Sequence, residues 1–111
     1  MIETQTLRER YQAMDWPQQL GNLASTLARL SKRATSPQYD ALTVDLLREA
    51  ALFIEWSAPN VPPDFWLELA ATQRELLAWQ RIWPLETVRP LFALYARHRS
   101  DRVLQMAGLI G

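Results

Sequence analysis

The chain has no cysteine, one histidine, one lysine (Lys32) and three glycines among its 111 residues. Without cysteine it has no disulfides, no thiolate metal ligands and no thiol nucleophile. The glycines stand isolated at 21, 108 and 111, so no Gly-x-Gly-x-x-Gly or Walker-type phosphate loop is present. Three glycines are also few for a hairpin-rich fold, and no segment alternates apolar and polar residues with the period of a strand. Excess charge of one sign is lacking as well. Twelve acidic residues balance twelve basic ones, so no global field draws the chain to nucleic acid or to an anionic membrane. Apolar runs are short: Ala50 to Ile54 falls far short of the roughly 20 residues of a membrane span. The start, Met1-Ile2-Glu3-Thr4, lacks the basic and apolar regions of a secretory signal. A cytoplasmic location without membrane insertion is therefore expected.

What the chain does have is hydrophobic content of 49%, enough for one core, and prolines that cut it into helical blocks. One all-α domain over residues 1–111 is expected, a small antiparallel bundle of four main helices plus short N- and C-terminal ones. A first block runs from about Thr6 to Met14, opened by a Thr6-Leu7-Arg8-Glu9 capping box. The second runs from about Trp16 to Arg33. Asp15 and Gln18 form its capping box, and Leu20, Leu23, Leu27 and Leu30 make its apolar face. Ser36-Pro37 restarts the chain for a third block ending near Trp56. This block is apolar on more than one side, the mark of a central helix or an interface. Residues 57–63 hold three prolines, a stiff loop crossing one end of the bundle. A fourth block runs from about Pro63 to Ile82, and a fifth from about Thr87 to Arg99. Ser100 is read as the cap of a last short helix from Asp101 to Ala107.

Catalytic and metal chemistry find little support. His98 falls in line with Leu91, Leu94 and Tyr95 and reads as a structural histidine near a helix C-terminus, with no partner or pocket that a general base needs. Asp45 and Glu49 have the spacing of a helical ligand pair, but two carboxylates are too few for a metal, and Arg48 competes for them. No cofactor, no metal and no catalytic residue is expected. A helix-turn-helix corner at Ala34 to Pro37 would present Asp40, Asp45, Glu49 and Glu55 to phosphates, which repel them. Nucleic acid is thus an unlikely partner, although Arg89, Arg97, Arg99 and Arg102 form a small basic patch.

The five tryptophans are the anomaly. Large rings seal the ends of a small core, and they also anchor partners; Trp66 is read as core. In the third block, Asp45, Glu49, Leu52 and Trp56 form a stripe away from the main core face. An apolar pair rimmed by carboxylates suits an arginine-bearing protein partner, with Trp56 held at the surface by the proline-rich loop. In the fourth block, Leu67, Ala71, Ala78 and Ile82 form a second stripe opposite Phe65, Leu69, Leu76 and Trp83. Two helices with doubled apolar faces bury more surface than one four-helix core needs, so a homodimer is expected. Gln73 and Gln80, seven residues apart, are polar groups in an apolar seam, able to fix register or to line a wet groove.

The runs Trp16-Pro17-Gln18-Gln19-Leu20-Gly21 and Phe53-Ile54-Glu55-Trp56-Ser57-Ala58-Pro59 resemble small uncharacterised all-helical proteins of cyanobacteria. The resemblance covers about half the chain, includes no functional motif and implies no site residue. The expected function is a non-enzymatic protein–protein interaction module, a cytoplasmic adaptor or assembly factor that self-associates. The alternatives are a nucleic-acid-associated regulator using the C-terminal arginines and a small-molecule-binding helical bundle.

Overall fold

A computed structural model describes residues 2–111, with side chains from Thr4 onward. Among the described residues there are five α-helices and no strand. They are α1 (Ile2–Gln12), α2 (Trp16–Arg33), α3 (Asp40–Ser57), α4 (Trp66–Ile82) and α5 (Arg89–Met106). Short 3-10 turns, Pro37–Tyr39, Pro63–Phe65 and Glu86–Val88, lead into α3, α4 and α5.

α2 starts and stops where its sequence says. The Asp15 side chain accepts the Gln18 backbone N–H at 2.9 Å, and the Gln18 side chain accepts the Asp15 N–H at 3.4 Å. Leu20, Leu23, Leu27 and Leu30 are fully buried, each worth about 1.5–3 kcal/mol relative to exposure. α3 is central, packing against α1, α2 and α4. α2 also packs against α5 along its length, and two serines clasp that contact. Ser31 Oγ donates to the Ala93 carbonyl at 2.7 Å, and Ser100 Oγ donates to the Ala24 carbonyl at 2.8 Å.

Several helix limits differ from expectation. α1 begins at Ile2 and not at Thr6, so Thr6 lies inside the helix and opens no capping box. α5 is one continuous helix to Met106, and Ser100 sits within it, buried. A serine that caps and a serine that bonds a neighbouring helix look alike in sequence; here the partner is 76 residues away. The inward face of α5 is Phe92, Ala96, Ser100 and Val103, all buried. Leu91 and Leu94, which with His98 looked like the core face, are 62% and 53% exposed, and His98 is exposed too.

One end of the bundle is tied by Arg89, which is 5% exposed. Its two Nη atoms fork onto the Asp40 carboxylate at 2.7 and 2.9 Å. Nη1 also donates to the Ala34 carbonyl at 3.0 Å, and Nε donates to Glu86 at 3.0 Å. The Trp83 indole N–H donates to Asp40 at 3.1 Å, and its ring lies under the guanidinium. The cation meets the carbonyl end of α2, where the helix dipole is negative, and the carboxylate stands in the first turn of α3, where it is positive. Four chain segments meet in this one knot.

Candidate interaction surface

Asp45, Glu49, Leu52 and Trp56 do lie along one side of α3, and α1 packs over that side. The Tyr11 ring stacks on Phe53 with centroids 4.1 Å apart and meets Trp56 at 6.1 Å. The Arg8 guanidinium lies 5.9 Å from the Trp56 ring centroid. Trp56 is only 5% exposed, which corrects the expectation that the loop holds it at the surface. Leu52 is half-buried beside α1, Glu49 accepts the Thr26 hydroxyl at 3.1 Å, and Asp45 alone is exposed. An open groove of about 560 Å³ remains between Thr4, Gln5, Arg8 and Gln12 of α1 and Leu52 and Trp56 of α3.

The α1 dock rests on a buried polar exchange. Tyr11 Oη donates to the Gln19 carbonyl at 2.7 Å, and the Gln19 amide donates back to the Tyr11 carbonyl at 3.1 Å. Gln19 is fully buried, and sequence reading passed over it because its partner belongs to another helix. Burial pushes the Tyr11 phenol well above its ordinary range, so it remains a donor.

Trp66 reverses its expected role. Its ring is 49% exposed, and its indole N–H donates to the carbonyls of Val61 and Ala58 at 3.0 and 3.1 Å. It clamps the proline-rich loop from outside. Trp83 is buried, while Trp79 is partly buried and packs edge-on against it. The Gln73 amide donates to the Ala51 carbonyl at 3.0 Å, a bond from α4 to α3.

α4 and α5 face each other across large and charged side chains. Trp79 packs on Phe92 with centroids 5.0 Å apart, and the Tyr95 hydroxyl donates to Glu75 at 2.6 Å. Glu68 receives Arg102 through Nε and Nη2 and Arg99 through Nη2, at 2.9–3.1 Å. Hydrogen bonds from Arg102, then from Arg99, hold the Glu68 carboxyl below the usual carboxylate range. Hydrogen bonds from Arg89 do the same for Asp40. Both shifts favour the charged form in the fold. The stabilisation is therefore present above the unfolded carboxylate pKa of about 4 and is lost as pH falls through the lower folded values. The melting temperature should be nearly flat from about pH 7 to pH 5 and fall below about pH 4. In Glu68→Gln that acid limb becomes shallower. An unchanged acid slope in this variant would contradict the role given to Glu68.

On the outer side of α4 lies the stripe Leu67, Ala71, Ala78 and Ile82. Of the opposite set, Leu69, Leu76 and Trp83 are buried in the core, while Phe65 is only half-buried against it. Leu67 is 88% exposed and Ile82 52%; Ala78 is exposed and Ala71 half-buried. The first turn of α5 lies beside the last turn of α4, because Phe92 packs on Trp79 and Trp83.

Among the described residues no group of three or more histidine, aspartate or glutamate side chains is placed to hold a metal ion. No helix there is long and apolar enough to cross a membrane. The chain matches no protein-family model, no curated protein and no solved structure.

Proposed function

We propose that this chain is a small cytoplasmic interaction module, an adaptor or assembly factor rather than an enzyme, and that it self-associates through the outer face of α4. The observation that carries this reading is the exposure of Leu67 and Ile82 on a helix whose other side is already fully used by the core. Leu67 and Ile82 stand at the two ends of one exposed helix face with Ala71 and Ala78 between them, and apolar surface rimmed by polar residues can mark a contact site. The stripe on α3 contributes less, because α1 of the same chain occupies it.

The basic patch gives the nucleic-acid alternative little support. Arg89 is buried against Asp40, Arg99 and Arg102 share Glu68, and Arg97 lies 4.0 Å from Asp101. Cations already matched by carboxylates release few counterions on binding phosphate.

The test is a dilution series followed by amide chemical shifts. Resonances of Leu67, Ala71, Ala78 and Ile82 should move with concentration, while those of the buried α2 face stay fixed. Shifts confined to α1, or no shifts up to the solubility limit, would contradict the assignment of this face.

A further inference from the structure

The α4 stripe has the same form read in either direction. From Leu67 it runs large apolar, small, basic, acidic, small, large apolar: Leu67, Ala71, Arg74, Glu75, Ala78, Ile82. Its midpoint falls between Arg74 and Glu75. Residues equidistant from that midpoint are Leu67 with Ile82, Ala71 with Ala78, and Arg74 with Glu75. Two antiparallel helices related by a two-fold axis bring such equidistant residues together. Resting on the self-association proposed above, we infer that the partner is a second copy of this chain, docked α4 against antiparallel α4, with the two-fold axis passing between Arg74 and Glu75.

The chemistry of each pair fits. Leu67 of each copy covers Ile82 of the other, which buries the most exposed leucine of the chain at both ends of the contact. Ala71 against Ala78 allows the helix axes to approach to about 8 Å. Arg74 is exposed and makes no ion pair or hydrogen bond among the described residues. Glu75 accepts Tyr95 at one oxygen, which fixes the carboxylate at the surface and leaves its other oxygen for an arginine. Antiparallel docking makes two Arg74–Glu75 pairs around the axis. Parallel docking in register would set Arg74 against Arg74 and Glu75 against Glu75.

The absence of cysteine gives a direct test in the full chain. Ala71 and Ala78 lie seven residues apart, about 10.5 Å along one helix, beyond the 4.4–6.8 Å Cα separation of a disulfide. Under the proposed geometry, Ala71→Cys alone stays non-covalent on mild oxidation, and so does Ala78→Cys alone. An equimolar mixture of the two forms a covalent dimer. A second measurement uses charge: Arg74→Glu and Glu75→Arg each weaken the dimer at least tenfold, and the combined swap restores it to within about threefold of wild type. Cross-linking of either cysteine variant by itself, or a combined swap weaker than both single changes, would overturn the two-fold register. If Leu67→Asp still dissociates the protein in that case, the α4 face stands and only this register falls. A wild-type chain that sediments as a monomer at every concentration would remove both.

Discussion

Replacing Arg89 with methionine should lower the melting temperature by on the order of 10–20 °C, the largest loss expected from any single charged residue in the chain. The methionine fills most of the space but leaves Asp40 facing Trp83 with no cation. It also strips the Ala34 carbonyl at the end of α2 of its donor. The pair is only partly buried, with Arg89 at 6% and Asp40 at 27% side-chain exposure, but removing one partner still leaves the other poorly solvated and unmatched, which costs more than removing both. Adding Asp40→Leu to Arg89→Met should therefore recover part of the loss. Thermal unfolding of the two variants side by side decides this. A double variant less stable than Arg89→Met would mean that Asp40 acts chiefly through its indole bond or its place in the first turn of α3.

Arg89 was also the residue that sequence reading placed worst, in a basic patch facing outward. The reason is physical. A buried arginine and a surface arginine differ only in what lies opposite, and here the partners are 49 and 55 residues away. Ser100 was misread in the same way, since its acceptor, Ala24, belongs to another helix. Trp56 followed suit: its stripe on α3 is amphipathic, but nothing local says that α1 folds back to cover it. By contrast, α2 was legible to its first and last residue because its signals are local. Asp15, Pro17 and Gln18 set the start, and four leucines at three- and four-residue spacing set the face. The second face of α4 was legible for a like reason, because Leu69 and Leu76 claim one side of the helix and leave Leu67 and Ile82 on the other. On α5 the inward side carries Ala96 and Ser100, small so that α2 can come close, while the larger Leu91 and Leu94 point outward. Hydrophobicity alone therefore picked the wrong side.

Replacing Leu67 with aspartate should weaken self-association by about 30-fold or more, the effect of losing a large apolar anchor worth about 2 kcal/mol. In a two-fold dimer one substitution acts twice, setting a carboxylate against Ile82 at both ends of the contact. The fold itself should be nearly untouched. Leu67 is 88% exposed, and surface substitutions away from caps and buried networks usually stay within about 0.5 kcal/mol. The pairing of lost association with retained stability separates this residue from Phe92, which is fully buried against Trp79 and Trp83. Phe92→Ala would instead cost about 3–5 kcal/mol of folding stability.

Sedimentation velocity of wild type and Leu67→Asp at matched concentrations in the tens of micromolar tests the central claim most directly. Wild type should sediment with twice the 12.9 kDa chain mass, and Leu67→Asp with the mass of one chain and an unchanged melting temperature. Two species of equal mass, whether both monomeric or both dimeric, would contradict self-association through the outer face of α4.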